Sequence, residues 1–298
     1  MVPIEGIVIN KIQGFYNIKT IDNKEYLCKL RGILKRSDKR ENCTVGDHVI
    51  FDEDGFITEV KERKNLLLRP LVANIDYIAI QFAAKDPLVD YERLNILLLN
   101  SFYYKIDPIV VINKIDLLTS EEKETIINNL SFLKEIDIPY FLVSTETGEG
   151  LKELETYIKG SITAFGGPSG VGKSSILNIL QEQKVLATGE TSKRLRAGKH
   201  TTRDSNLLPM KIGGYVIDTP GFSSVELPDI KSPSELADLF PEFSKIEDSC
   251  KFNNCIHLNE PGCAIKNAVE TNKIQEKRYE FYKRTYDKLK NERWNRIW

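Results

Sequence analysis

From Gly6 to Val60 apolar and polar positions alternate in short runs, GIVI, GFYNI, YLCKL, HVIF and FITEV, separated by Gly, Asn and Asp. A period of two punctuated by turn residues predicts strands that bury one face. Five such runs in so short a stretch predict a small β-barrel. An OB-fold suits that length, and its strand face and loops often take oligonucleotides, although an SH3-like barrel would carry the same pattern.

After the polar stretch Lys61 to Asn65 the rhythm changes. Near-continuous apolar runs, IDYIAIQF, PIVVI, YFLVS and SITAF, alternate with Tyr91 to Tyr104, Ser120 to Lys134 and Leu151 to Ile158, whose apolar residues recur every three or four positions. Buried strands interleaved with amphipathic helices predict a parallel α/β sheet. Beyond Ser224 the alternation stops, a Cys/His cluster follows, and a Tyr-, Lys- and Arg-rich segment from Asn272 onward has a helical pattern. The expected units are therefore a barrel over 1–64, an α/β domain over 65–223 and a mainly helical unit over 224–298.

Composition narrows the class. With 41% hydrophobic and 29% charged residues the chain has neither the apolar depletion of a disordered protein nor the excess of a membrane protein. The N-terminus lacks the charged start, apolar stretch and cleavage site of a secretory signal, and no apolar run approaches the ~20 residues of a spanning helix. A cytoplasmic chain with no membrane partner is expected. The net charge of −1 conceals two basic stretches, Arg31 to Arg40 and Lys273 to Arg296, that would suit a polyanion or a solvated surface equally. Five cysteines, two of them far from the rest, do not resemble a disulfide framework. Cys28 lies in an apolar strand as a core residue would, whereas Cys43 stands in a polar stretch and is compatible with exposure.

Chemistry enters with SITAFGGPSGVGKSSILNIL, which places an apolar strand, Gly167-x-x-x-x-Gly172-Lys173-Ser174 and an amphipathic helix in the order a phosphate loop needs. Glycines let the backbone curl its N–H groups toward phosphate oxygens, and the helix N-terminus adds partial positive charge. The candidate phosphate-binding residues are Gly167, Gly170, Val171, Gly172, Lys173, Ser174 and Ser175. Lys173 would reach the β- and γ-phosphates, and Ser174 would ligate Mg²⁺.

The strand PIVVI runs into Asn113-Lys114-Ile115-Asp116, where open α/β sheets bind ligands. A carboxylate there accepts two hydrogen bonds from the N–H edge of guanine and finds no such pair on adenine, so Asp116 would select GTP or GDP. A helix cap would use the same residues. Ser144-Thr145-Glu146 resembles the SAK element of GTPases, with Thr and Glu in place of Ala and Lys, and would also serve as a strand-to-helix turn. Asp218-Thr219-Pro220-Gly221 resembles DxxG, whose Asp holds Mg²⁺ through water and whose Gly amide meets the γ-phosphate; it is also a strong turn sequence.

Their order is the telling feature. Ras-like GTPases run phosphate loop, switch threonine, DxxG, NKxD and SAK, whereas this chain runs NKID, STE, phosphate loop, a Thr pair and DTPG. Joining old ends and cutting one surface loop preserves every spatial relation, so the same site survives circular permutation.

Taken with GKHTTR and CKFNNCIHLNEPGC, these motifs closely resemble the bacterial small ribosomal subunit biogenesis GTPases, the RsgA family, over essentially the whole chain. The resemblance implies an N-terminal OB-fold, a circularly permuted P-loop GTPase domain and a C-terminal zinc domain. It implies a late assembly factor of the small (30S) subunit that contacts 16S rRNA, hydrolyses GTP when the subunit stimulates it, and has no DNA partner; a monomer is expected. The family's switch segment matches Gly198 to Arg203, which makes Thr202, in preference to Thr201, the contact to Mg²⁺ and γ-phosphate. Phe222 stands where many GTPases carry a water-orienting Gln after DxxG. His200 is the candidate to orient or activate that water; packing of the switch or an rRNA contact is the alternative.

Cys250-x4-Cys255-x-His257-x5-Cys263 supplies three thiolates and one imidazole, a closed tetrahedral set for one structural Zn²⁺ with no open position for catalysis. Two other functions compete with the leading one. A P-loop kinase lacks an acceptor motif here, and a nucleic-acid module with vestigial nucleotide binding conflicts with an intact Lys173 and Ser174.

Overall fold

The computed structural model describes residues 3–34, 42–181, 206–219, 226–292 and 294. Strands β1 (Ile4–Ile12), β2 (Phe15–Lys19), β3 (Glu25–Leu30), β4 (His48–Phe51) and β5 (Phe56–Val60) close into a barrel in the order β1-β2-β3-β5-β4. Only β3 and β5 pair in parallel. That five-stranded closure is the OB-like alternative of the two barrels expected. Val8, Ile18, Cys28, Val49, Phe51 and Ile57 fill its interior. Cys43 corrects the sequence reading: it is buried, not exposed, because the Cys43–Asp47 segment folds over the barrel mouth, with Gly46 donating to the Val8 carbonyl at 2.9 Å and Val8 to that of Asp47 at 2.9 Å.

A hairpin, β6 (Leu66–Leu68) and β7 (Leu71–Ala73), joins the barrel to the sheet. Its Leu-Leu-Leu run carries no alternation, so periodicity gave no sign of it. Val45 bridges to Val72, and Gly46 (φ +86°) lies so close that a Cβ would stand 2.1 Å from the Ala73 carbonyl oxygen. Arg63 grips buried Asp47 with two bonds, Nε to Oδ1 at 2.6 Å and Nη2 to Oδ2 at 2.8 Å. A planar guanidinium matches a carboxylate in this way, fixing the barrel's exit strand to its mouth.

The second layer system contains β8 (Tyr77–Ala83), α1 (Tyr91–Tyr103), β9 (Asp107–Asn113), α2 (Ser120–Asn129), α3 (Phe132–Glu135), β10 (Tyr140–Leu142), α4 (Leu151–Ile158), β11 (Ile162–Gly166), α5 (Lys173–Leu180), β12 (Leu208–Pro209) and β13 (Tyr215–Asp218). The sheet order is β10-β9-β8-β11-β13-β12, parallel except for the edge strand β12. The single helix expected from Ser120 to Lys134 is two. A Thr119–Glu122 capping box starts α2, and Ser131 Oγ donating back to the Asn128 carbonyl at 2.8 Å accompanies the break before α3.

The C-terminal unit is mainly helical, with α6 (Pro233–Asp238), α7 (Pro241–Ser244), α8 (Ala264–Glu270) and α9 (Glu276–Glu292). It packs on α1, which is apolar on two faces. Leu94, Leu97 and Leu98 enter the sheet core, while Ile96 and Leu99 enter the C-terminal core around Phe240, Phe243 and Tyr282. Arg278 of α9 pairs with Glu242 at 2.7 Å, donates to Asn95 of α1, and lies over the rings of Phe132 and Phe240. Among the described residues no helix is long and apolar enough to cross a membrane.

Candidate functional site

Parallel strands deliver the loops after β8, β9, β10, β11 and β13 to one edge of the sheet, and the NKID, STE, phosphate-loop and DTPG segments all follow those strands. Chain order is permuted, yet the spatial order is that of one site.

The loop after β11 owes its path to two glycines. Gly167 (φ +144°) would place a Cβ 2.0 Å from the Gln81 carbonyl oxygen, and Gly172 (φ +89°) would place one 2.3 Å from Asn113 Nδ2. No side chain fits at either position, and the left-handed backbone at Gly172 leads directly into α5 at Lys173. Lys173 Nζ donates to the carbonyls of Gly167 at 2.8 Å and Pro168 at 2.6 Å, so its ammonium folds back along the loop. Ser174 and Ser175 lie in the first turn of α5, where the Ser175 N–H already donates to the Gly172 carbonyl at 3.1 Å.

Asn113 links both sides of the site. Its buried Nδ2 donates to the Val171 carbonyl at 3.0 Å, and its Oδ1 accepts from Thr145 N at 3.2 Å. Ser144 Oγ donates to Asp116 Oδ1 at 2.5 Å and accepts from the amides of Glu146 and Thr147. The strand-to-helix turn at Ser144 is thus tied to Asp116, whose carboxylate this hydroxyl orients. Lys114 (φ 65°) sends its Nζ to the Asp86 carbonyl at 2.5 Å, tying the loop after β8 to the same edge.

Asp218 ends β13 in register with Phe165, two residues before Gly167, so the end of that strand lies next to the start of the phosphate loop. Thr219 fixes the strand end by donating from both N and Oγ1 to the Phe165 carbonyl. Gly221, Phe222, His200, Thr201 and Thr202 lie outside the described residues.

The four ligand atoms of Cys250, Cys255, His257 and Cys263 lie within 4.8 Å of one another. His257 Nδ1 stands 3.7 Å from the Cys250 sulfur and 3.6 Å from that of Cys263. Zinc bonds of ~2.3 Å to sulfur and ~2.0 Å to nitrogen give a tetrahedral edge of about 3.5 Å, close to both separations, so the donor set fits the ion. Burial lowers the His257 pKa, which favours the neutral imidazole a metal requires. Tyr279 and Tyr282 hold the ligand loop from α9, donating to the carbonyls of His257 at 2.7 Å and Ile256 at 2.6 Å. Glu260 accepts from Ile256 N, Leu258 N and Asn259 N in the same loop.

The RsgA GTPase family matches residues 60–228, and the RsgA N-terminal domain matches 5–56. A protein of Fusobacterium nucleatum subsp. nucleatum named small ribosomal subunit biogenesis GTPase RsgA is 58% identical over 97% of this chain and 100% of its own length. The chain belongs to the RsgA GTPase family. A Clostridium beijerinckii protein of the same name is 40% identical over 98% of this chain and 100% of its own. Among solved structures, YjeQ from Thermotoga maritima superposes with a TM-score of 0.83 at 33% identity, covering 98% of this chain and 100% of that one. YloQ, described as a circularly permuted GTPase, gives 0.82 at 31%, covering 97% and 96%. As a member of the RsgA family the chain is a GTP hydrolase on a circularly permuted nucleotide domain.

Two members of this RsgA site escaped the sequence. Asp86 contributes only a backbone carbonyl, which no side-chain pattern advertises. Gln81 is fully buried and donates Nε2 to the Val171 carbonyl at 3.0 Å. A lone amide in the otherwise apolar strand YIAIQFA was the available signal.

Proposed function

We propose that this chain is a GTP-driven timer in late assembly of the small (30S) ribosomal subunit, with hydrolysis on the subunit releasing it. The observation that carries the reading is the convergence of Asn113, Asp116, Ser144, the Gly167–Ser175 loop and Asp218 on one sheet edge, together with the names its relatives bear. Asp116 would receive the guanine N–H edge, held by Ser144; Asn113 would brace base and phosphate loops together. Phosphoryl transfer needs positioning and charge neutralisation more than covalent help, and Lys173 with the loop amides supplies both. Ser174, Thr202 and Asp218 are the residues to hold Mg²⁺, which would neutralise charge on the β- and γ-phosphate oxygens. His200 would position the attacking water, since Phe222 offers no polar group. The Cys₃His set would hold one structural Zn²⁺.

Contact with 16S rRNA would fall to the barrel and the exposed face of α9. Lys277, Lys283, Lys288 and Lys290 are exposed there, whereas Arg278 is buried and Arg31 is already paired with Asp52 at 2.7 Å. The remainder of the first basic stretch, 35–40, lies outside the described residues. The factor would work as a cytoplasmic monomer. GTP hydrolysis measured with and without purified 30S subunits tests the proposal. A rise of tenfold or more with 30S, and none with 50S, is expected; equal rates under all three conditions would overturn it.

A further inference from the structure

We infer that Gln81 is a positioning residue for the phosphate loop: with Asn113 it aims the Gly172 N–H at the nucleotide's β-phosphate. The inference rests on the guanine-nucleotide reading of the site. Strand β8 is central and buried, and an amide inside it costs free energy unless it makes bonds the fold needs. Gln81 is 0% exposed, yet its Oε1 has no hydrogen-bond partner among the described residues, so the side chain is not there for its own satisfaction. What it does make is the bond from Nε2 to the Val171 carbonyl at 3.0 Å.

Asn113 Nδ2 reaches the same oxygen at the same 3.0 Å. A carbonyl oxygen has two lone pairs, and two donors approaching from β8 and β9 occupy both. In a trans peptide C=O and N–H point in opposite directions. Drawing the Val171 oxygen down toward the sheet therefore turns the Gly172 N–H away from it, to the side where the loop opens. One anchor would leave that peptide free to rock about the chain; two from neighbouring strands fix its plane. The missing Cβ at Gly172 belongs to the same arrangement, because any side chain there would strike Asn113 Nδ2 and lie 3.9 Å from Gln81 Nε2. The neighbouring contact of Gly167 with the Gln81 backbone carbonyl makes β8 part of the template for the loop at Gly167 as well as at Gly172.

Gln81→Met keeps length and volume while removing both amide groups; Gln81→Glu keeps the size but replaces the donor with an acceptor that repels the Val171 oxygen. Asn113 still satisfies that oxygen, and the unpartnered Oε1 disappears in the Met variant, so its thermal unfolding midpoint should stay within about 1 °C of the parent. Affinity for a fluorescent GDP analogue should fall about five- to tenfold in Gln81→Met, the equivalent of one neutral hydrogen bond, and further in Gln81→Glu. Displacement by GMP, which has no β-phosphate, should be unchanged in Gln81→Met. GDP affinity within twofold of the parent in both variants would overturn the inference, as would an equal loss for GMP or a midpoint that drops in step with affinity. Failure of the parent to bind GDP at all would instead remove the nucleotide reading on which it rests.

Discussion

Removing Arg278 should uncouple the C-terminal unit from the nucleotide domain, and the size of the effect follows from its surroundings. The side chain is 3% exposed and its partner Glu242 6% exposed, with Nε and Oε1 at 2.7 Å. Arg278→Ala leaves a buried carboxylate without its counter-charge, which costs about 3–5 kcal/mol, and strips the cation from the faces of Phe132 and Phe240 at 5.3 and 4.9 Å. The pair is imperfectly satisfied, since Arg278 Nη2 and Glu242 Oε2 have no hydrogen-bond partner among the described residues. Replacing both ends with apolar residues, Arg278→Met with Glu242→Leu, should therefore recover stability to within about 1 kcal/mol of the parent. Trp294 Nε1 donates to the Ile230 carbonyl within the C-terminal unit, so its fluorescence in urea, read in a Trp298→Phe background, reports on this unit. A chain of several domains need not unfold in one step, and only this fluorescence transition is read. A loss below about 1 kcal/mol in Arg278→Ala, or a double variant as unstable as the single one, would refute the reasoning.

Asp116→Asn replaces an acceptor pair with a mixed amide; losing two charge-assisted bonds should weaken GDP at least a hundredfold while xanthosine diphosphate, whose 2-oxo group accepts the new N–H, binds better, as displacement titrations would show. His200→Ala should lower 30S-stimulated hydrolysis at least tenfold and leave GTP affinity unchanged; an undiminished stimulated rate would end the role given to His200. Purified protein should carry about one zinc per chain by elemental analysis, and Cys263→Ser well under half of that with a changed tryptophan emission; a zinc-free parent with normal emission would count against the structural ion.

The sequence disclosed most where backbone geometry demands a residue type. Gly167 and Gly172 had to be glycine, and a run of five motifs in one cyclic order implied a single site. The barrel was legible because five one-sided strands alternate. What stayed hidden arises from contacts distant in the chain. The Leu66–Leu68 hairpin is stabilised by its bridge from Val45 rather than by its own pattern, and Cys43 is buried because Gly46 lets the segment approach β7. The motif alone places Asn113 beside Asp116, whereas its side chain bonds the Val171 carbonyl and the Thr145 amide. Ser144 forms the strand-to-helix turn, and the same hydroxyl that accepts from the turn amides donates to Asp116, a link that residue types alone do not disclose.

The two apolar faces of α1 set a schedule for synthesis. Ile96 and Leu99 leave the ribosome early, while the C-terminal core they enter begins at Leu227 and is complete only at Leu289, roughly 190 residues later. At ~5–20 residues per second the nascent sheet would carry an incompletely covered apolar stripe for roughly 10–40 s. A chain cut short before Leu227 lacks the whole of that core and keeps the stripe permanently, so such truncated forms should be clients of chaperones and proteases even though the nucleotide domain lies upstream of the cut.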